Sequence, residues 1–270
     1  MPDKKKTVSG TKEWSSSSAN VMKGCEHGCL YCYACSMAIR TQRKKPGEWT
    51  TEEFNERMLN KGFGKRKGTI MFPTTHDITL KNLQYTLPVL VRMLEAGNQV
   101  LVVSKPSLHV MFNLCDALAD YKEQILFRFT IGSAQDEILS FWEPGAPPFL
   151  SRLESLYFMV LHGYKTSVSM EPLLETEEHM VIALVEALEE GVTDAIWIGK
   201  MNKVADRLKR NGFWYHPDVQ RRAHELIASQ EDARIISLYD QLKDHPKIKW
   251  KESIKTVVGL DIPTEAGLDI

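Results

Sequence analysis

Short runs rich in β-branched and other apolar residues alternate along this chain with longer stretches whose apolar residues recur at helical spacing. The apolar runs predict strands at residues 69–73, 99–104, 125–131, 165–170 and 194–198, with a weaker strand at residues 19–22. The longer stretches predict helices at residues 82–95, 107–121, 149–161 and 177–189. Strands and helices that alternate in this way indicate repeated βα units and a parallel sheet.

About six βα units are expected, and they would form either an open doubly wound sheet or a barrel. In both architectures the chemistry collects where the carboxyl ends of the strands meet the following loops. This rule selects the positions that follow each predicted strand. They are residues 74–77, Lys105, residues 132–133, Glu171 and residues 199–202.

The chain changes character after about residue 210. From Asn211 onward the pattern is helical and no new strand alternation is visible. We therefore predict an α/β unit over residues 1–210, with an N-terminal lead-in, and a helical C-terminal extension over residues 211–270 that packs on it.

The composition is that of an ordinary globular protein, with 43% hydrophobic and 26% charged residues in a chain of 270. The formal charge is -1 and the sequence pI is about 6.7, so there is no global basic field to attract nucleic acid or a membrane surface. A nucleic-acid role would need a local patch. The sequence has no signal-type segment and no apolar run of spanning length, so we expect a cytosolic protein without a membrane partner.

Four of the five cysteines lie between Cys25 and Cys35, in the segment GCEHGCLYCYAC. This spacing is too tight for a disulfide scaffold and is typical of metal or redox chemistry. Three thiolates spaced C-x3-C-x2-C, from Cys25, Cys29 and Cys32, can hold one cuboidal iron-sulfur cluster and leave its fourth iron without a protein ligand.

Two other interpretations of the cysteines remain open at this point. The cysteines and His27 could form a structural zinc site, although no second pair of ligands follows nearby. Cys35 could instead close a four-cysteine cluster used only for electron transfer. If the cluster is open, Cys35 is a spare thiol near it or a small apolar residue in the core.

The motif C-x3-C-x-aromatic-C resembles the signature of the radical S-adenosylmethionine (SAM) superfamily. More narrowly, the segments GCEHGCLYCYA, TTHDI, VVSK, RFTIGS and WEPGAPPFLSRL resemble the spore photoproduct lyase branch. The resemblance implies a partial (β/α)6 barrel that binds a [4Fe-4S] cluster and SAM. It also implies reductive cleavage of SAM to a 5'-deoxyadenosyl radical, which takes hydrogen from a substrate, and an external one-electron donor such as flavodoxin or ferredoxin.

The same resemblance implies roles for individual residues. Cys25, Cys29 and Cys32 match the cluster ligands, and Tyr31 and Tyr33 match aromatic positions that lie against SAM. Lys105 and Ser133 match a lysine and a serine at the SAM carboxylate. On local grounds, Arg152 could clamp a carboxylate or make a surface ion pair.

Four further polar residues at predicted strand ends are expected to handle the substrate: His76, Asp77, Glu171 and Lys200. His76 and Asp77 could exchange a proton with the substrate or orient it, and Glu171 could bind the SAM ribose or a substrate amine. Asp77 could alternatively cap the next helix, and Lys200 could simply pair with a carboxylate.

Thr74 departs from the lyase pattern, in which a cysteine at this strand end returns a hydrogen atom to the repaired thymine. A threonine O–H bond is too strong for that step, so lesion repair, and with it a nucleobase substrate, is less favoured than hydrogen abstraction from an undetermined small molecule. A protein that uses its cluster only for electron transfer or iron sensing is the third possibility.

Overall fold

The computed structural model describes residues 7–58 and 60–269, and it shows an α/β fold built on one curved parallel sheet. The strands are β1 (Ser17–Ser18), β2 (Met22–Lys23), β3 (Glu53–Phe54), β4 (Thr69–Phe72), β5 (Gln99–Ser104), β6 (Ile125–Thr130), β7 (Lys165–Met170), β8 (Ile196–Ile198) and β9 (Ile248–Trp250).

Helices follow most of these strands. They are α1 (Thr11–Trp14), α2 (Tyr33–Arg40), α3 (Leu83–Glu95), α4 (Leu108–Ala117), α5 (Asp136–Trp142), α6 (Phe149–Leu161), α7 (Glu178–Glu189), α8 (Val204–Asn211), α9 (Pro217–Ser229), α10 (Asp232–Leu242) and α11 (Glu252–Val258), with 3-10 turns at Glu56–Met58 and Ala119–Gln124. None of the helices in the described ranges is long and apolar enough to cross a membrane.

The seven strands of the main sheet stand in the order β1-β4-β5-β6-β7-β8-β9, and every neighbouring pair is parallel. The strands stand in the sheet in the same order as they occur in the chain. A doubly wound sheet has a point at which the strand order reverses, and this sheet has none. Strands β1 and β9 are its two edges. The result is the predicted partial barrel, and β2 and β3 form a separate antiparallel pair.

Most of the predicted elements are confirmed: β5, β7 and α6 match residue for residue, and the other main strands shift by at most two residues at an end. The weak strand at residues 19–22 is wrong. There the chain leaves the sheet between β1 and β2, because the Asn20 side chain turns to accept hydrogen bonds from the backbone N–H groups of Thr74 and Thr75, at 2.7 and 2.9 Å.

The predicted tail is helical at α9, α10 and α11, but it also contains β9, which pairs with β8 and completes the sheet. The expectation of a wholly helical extension is therefore wrong at Ile248–Trp250. A three-residue strand is too short to show alternation, and the Trp250 ring packs at 5.3 Å from that of Tyr239. Helix α8 runs across residue 210, where the division of the chain was predicted.

Alternate residues of each strand face opposite sides of the sheet. On one side, residues such as Phe72, Val102 and Phe127 pack against the surrounding helices in the main core. On the other side Met71, Leu101 and Trp197 form a smaller interior cluster with Trp14 of α1. The barrel interior is thus partly filled by side chains.

Arg128 of β6 also lies in this interior. Its guanidinium lies 4.3 Å from the Trp14 ring and 5.3 Å from the Trp197 ring. Its Nε donates to Ser167 Oγ at 3.0 Å, and its Nη2 lies 3.4 Å from Asp194 Oδ2. This arginine contacts both indole rings, which themselves lie edge to face at 5.5 Å, and the three side chains together fill part of the barrel interior.

Helix α1 links the two edges of the sheet. Trp14 packs against Met71 of β4, while Glu13 binds Lys251, which directly follows β9. Lys251 is 0% exposed, and its Nζ lies 2.9 Å from Glu13 Oε1 and 3.4 Å from Glu171 Oε2. The open side of the barrel is therefore held by a buried ion pair between the two ends of the chain.

Replacing Lys251 by alanine should lower the free energy of unfolding by about 3–5 kcal/mol, because Glu13 would remain buried without its cation. Denaturant unfolding followed by circular dichroism measures this. Lys243→Ala is the matched control, since Lys243 pairs with Asp240 at the surface, and it should leave the unfolding midpoint where it is. Equal midpoints for both variants would contradict the structural role of Lys251.

Candidate functional site

A cavity of about 1500 Å³ opens at the carboxyl ends of the parallel strands. It exceeds the roughly 300–1,000 Å³ of ordinary small-molecule sites, so it can hold more than one small molecule. The cysteine loop, helix α8 and the strand ends form its wall. The strand-end residues predicted from the sequence that line it are Thr74, His76, Asp77, Lys105, Glu171 and Lys200.

The cysteine loop is fixed by backbone contacts. Cys25 donates its N–H to the Trp49 carbonyl and Leu30 donates its own to the Trp142 carbonyl, both at 2.9 Å. Gly24 has a φ of +105°, and a Cβ there would lie 2.6 Å from the Thr51 carbonyl oxygen. Only glycine fits this position, which explains the glycine directly before the first cysteine.

Cys25, Cys29 and Cys32 all line the cavity, and the first two are buried. Burial raises the pKa of each of these thiols above its usual value. Thiolates therefore need a compensating positive charge in this wall, and bound iron supplies one. Three converging soft donors beside an empty volume of this size fit a cluster held by three cysteines.

A single zinc ion fits these thiols less well. Three thiolates on one tetrahedral zinc would have sulfur atoms about 3.8 Å apart, given Zn–S bonds of about 2.3 Å. Throughout residues 7–58 and 60–269, the one set of three ligand atoms mutually within 4.8 Å is that of Cys25, His27 and Asp77. The three thiols stand farther apart, as ligands of separate irons must, and His27 is already bound to Asp77.

Cys35 is turned away from the cavity. It is buried among Cys25, Ala38 and Trp49, and it is not part of the cavity wall. Its backbone N–H lies 3.4 Å from Cys32 Sγ, which caps α2, and burial raises the pKa of its thiol to about 12. This packing favours the spare-thiol interpretation over a four-cysteine site.

Asp77 is the charged centre of the site. Its Oδ1 accepts from Ser104 Oγ at 2.9 Å and from the Lys105 backbone N–H at 2.7 Å. Its Oδ2 lies 2.9 Å from His27 Nδ1 and 3.6 Å from Lys105 Nζ. Burial would raise the pKa of this carboxyl, but Lys105 and His27 outweigh burial and hold it well below its usual value.

Asp77 therefore stays ionised, and its oxygens are occupied. Asp77 is not the cap of the next helix, because α3 begins at Leu83 and Asn82 makes the turn before it by accepting from the Thr79 N–H. The expected proton exchange of Asp77 with a substrate stays a prediction. What Asp77 does is hold Lys105 and the cysteine loop together. Ser104 and His27, which complete this network, were not expected in these roles.

His76 lines the cavity, but both of its ring nitrogens are engaged. The Val21 N–H donates to Nε2 at 3.2 Å, so Nδ1 carries the proton and donates to the Asp77 carbonyl at 3.0 Å. Burial lowers the pKa of this imidazole to about 4. In this arrangement His76 ties the N-terminal lead-in to the end of β4, and its expected proton exchange with a substrate stays a prediction.

Lys105 has its ammonium in the cavity wall, near Asp77 and Cys29. Burial would lower the pKa of this amine, but these two groups outweigh burial and raise it, so the group stays charged. A held cation beside the cysteines is suited to a ligand carboxylate.

The Glu143 carboxylate binds both Tyr31 and Arg152. The Tyr31 hydroxyl donates to Glu143 Oε1, and Arg152 Nη2 lies 2.6 Å from Glu143 Oε2. Arg152 is 0% exposed and is not among the residues of the cavity wall, and its expected contact with a cofactor stays a prediction. The carboxylate that it clamps belongs to the protein, and sequence inspection gave Glu143 no role although it lies in the quoted WEPG stretch.

Ser133 is likewise buried behind the wall. Its hydroxyl donates to Glu175 Oε1 at 2.6 Å and accepts from the Gln135 N–H at 2.9 Å. The expected contact of Ser133 with a SAM carboxylate stays a prediction. The alternative, a serine that fixes the turn before α5, agrees with these bonds.

The remaining predicted residues face the cavity. Glu171 lies there, and Lys251 Nζ contacts its Oε2 at 3.4 Å. Lys200 pairs at 3.4 Å with Asp232, which agrees with the alternative that Lys200 simply pairs with a carboxylate. Tyr33 is 56% exposed, and the Arg207 guanidinium lies 5.6 Å from its ring.

Comparison with known proteins gives one sequence relative and a consistent set of folds, while no protein-family model matches the chain. An uncharacterized protein, ORF301 of Acidianus two-tailed virus, is 28% identical over 192 residues, which are 64% of this chain and 63% of that protein. The chain thus spans less than two thirds of that relative's length.

Two solved structures carry the fold comparison. Streptococcus suis SuiB bound to S-adenosylmethionine aligns with a TM-score of 0.54 at 10% identity, over 93% of this chain and 54% of that one. Spore photoproduct lyase complexed with dinucleoside spore photoproduct aligns with a TM-score of 0.56 at 16% identity, over 92% of this chain and 79% of that one. The chain therefore has the fold of SuiB and of spore photoproduct lyase, in agreement with the partial barrel expected from the sequence.

Proposed function

We propose that this chain is a radical SAM enzyme whose Cys25, Cys29 and Cys32 hold a [4Fe-4S] cluster with one iron left for SAM. The observation that carries the proposal is that three thiols, two of them on buried cysteines, line one large cavity while Cys35 is packed outside its wall. When bound, the reduced cluster and SAM together supply a 5'-deoxyadenosyl radical that takes hydrogen from a substrate.

The residues around the thiols have separate tasks in this proposal. Lys105 binds the SAM carboxylate, and Asp77 fixes the direction of its ammonium through the 3.6 Å contact and the bond to its backbone. Glu171 binds ribose hydroxyls or a substrate amine, with Lys251 holding the carboxylate from behind. Tyr33 is exposed in the cavity and offers its ring to the bound adenine or substrate.

Reduction needs an external one-electron donor of the flavodoxin or ferredoxin type. The buried thiols also need a reducing compartment, so we propose that the enzyme works in the cytosol.

Lesion repair of the spore photoproduct type has less support. Thr74 lies in the cavity wall with its hydroxyl bound to Asn20 Nδ2 at 2.8 Å. In the part of the chain that the structure describes, the only cysteines in that wall are Cys25, Cys29 and Cys32. No further thiol is placed to return a hydrogen atom to a substrate.

Alanine at Cys25, Cys29 or Cys32 should abolish iron binding after anaerobic reconstitution, because each supplies one of three ligands. Cys35→Ala should keep about four irons per chain, since its thiol packs away from the cavity. Iron and sulfide analysis measures both, with Cys115→Ala as a second cysteine control. Loss of iron from Cys35→Ala would show a closed four-cysteine site.

The reconstituted protein should convert SAM to 5'-deoxyadenosine and methionine when dithionite is supplied, and Cys32→Ala should give only background. Liquid chromatography of the quenched reaction measures both products. If the wild-type protein keeps an intact cluster but forms no 5'-deoxyadenosine, the electron-transfer or iron-sensing alternative is correct instead.

Lys105→Met should weaken SAM binding by about 10- to 100-fold, because it removes a charged hydrogen bond to the SAM carboxylate. Equilibrium dialysis with labelled SAM, on samples of equal iron content, measures the affinity. Lys165→Met, at an exposed pair with Glu123, is the control and should bind as the wild type does. An unchanged affinity in Lys105→Met would remove Lys105 from the SAM site.

A further inference from the structure

Helices α2 and α8 pack side by side next to the cysteine loop and carry a row of basic side chains. The Arg207 guanidinium lies over the Tyr33 ring at 5.6 Å, and Arg210 Nη1 donates to Ser36 Oγ at 3.3 Å. Asn211 Nδ2 donates to the Cys32 carbonyl at 3.1 Å. The face of α8 that bears these arginines is thus held against the loop that carries the thiols.

Arg40, one turn beyond Ser36 on α2, extends this row. Arg40, Arg207 and Arg210 all line the cavity, and we call them the arginine cluster. Helix positions 33, 36 and 40 share one face, as do positions 207 and 210, so the three guanidiniums border the same side of the cavity.

The arginine cluster has no carboxylate partner among the described residues. Among the other cations of the wall, Lys105 pairs with Asp77 and Lys200 with Asp232, whereas Lys12 and Lys203 form no ion pair among the described residues. The one acid that α8 adds to the wall, Asp206, makes no ion pair with Arg207 or Arg210 within 4.0 Å. None of the three guanidiniums forms an ion pair, although Glu171, which lines the same cavity, acts on Arg207 electrostatically.

Guanidiniums that have no ion-pair partner and border a half-enclosed cavity favour a bound anion. Arg207 is half-buried, and burial lowers its pKa, yet the group stays protonated at neutral pH. Guanidinium forks bind phosphate and carboxylate with paired hydrogen bonds. A carboxylate has two oxygens and is satisfied by one fork, whereas a phosphate monoester offers three oxygens and up to two charges, which suits several arginines.

We propose that the arginine cluster binds a terminal phosphate of the substrate, which makes the substrate a phosphate monoester. This names the substrate class for the proposed radical SAM reaction and rests on it for the chemistry, but the binding itself needs neither SAM nor an electron. The phosphate would lie against α2 and α8, beside Tyr33, with the rest of the substrate directed into the cavity.

Isothermal titration calorimetry of the full chain with ribose 5-phosphate tests the proposal, with acetate as the carboxylate probe and a short oligothymidylate as the phosphodiester probe. The wild type should bind ribose 5-phosphate more tightly than either. Arg207→Gln and Arg210→Gln should each weaken that binding by about 10- to 100-fold. Arg207→Lys should recover only part of it, because lysine keeps the charge and loses the fork.

Arg221→Gln is the matched control, since Arg221 is exposed on α9 and paired with Asp218 and Glu225, and it should bind as the wild type does. No binding by the folded wild type, equal losses in Arg221→Gln and Arg207→Gln, or a preference for oligothymidylate would each overturn the proposal. Formation of 5'-deoxyadenosine without any phosphate binding would leave the radical SAM function standing and refute only the substrate class.

Discussion

The site depends on one buried carboxylate. Asp77 at the end of β4 accepts hydrogen bonds from the end of β5 and from His27 in the cysteine loop, so one side chain joins three segments that are distant in sequence. A buried carboxylate is costly unless it is paired, and here every contact that stabilises the charge also positions a residue of the site. The contacts that keep the buried Asp77 charge stable are therefore the same contacts that position the cysteine loop.

A partial barrel has a second problem, because its edge strands do not meet. In this chain α1 and the residues after β9 meet instead, through the pair of Glu13 and Lys251 under the Trp14 ring. The same lysine reaches Glu171 at the cavity, so the contact that closes the barrel also holds a carboxylate in the cavity wall. Arg128 fills part of the barrel interior, and the thiols lie in the wall of the cavity at the strand ends.

Two kinds of cation border the cavity near the cysteine loop. Lys105 is neutralised by Asp77, whereas the arginine cluster forms no ion pair within the described residues. The first arrangement suits a cofactor with one carboxylate that must be held in one orientation. The second suits a more highly charged group brought in by a substrate. The chain's near-neutral total charge gives no sign of this local group of arginines, because acidic residues elsewhere balance their charge.

The sequence alone determined the main strands β4 to β8, the order of their βα units and the spacing of the three thiols, because periodicity and the spacing within one loop are local properties. Tertiary structure decided which polar residues are free: Arg152, Ser133 and His76 looked available at strand and helix ends but are bound to Glu143, Glu175 and the backbone. It also decided β9, a three-residue strand defined only by its partner, and the arginine row, which exists because α2 and α8 pack together. Such pairings join residues far apart along the chain, and no local pattern encodes them.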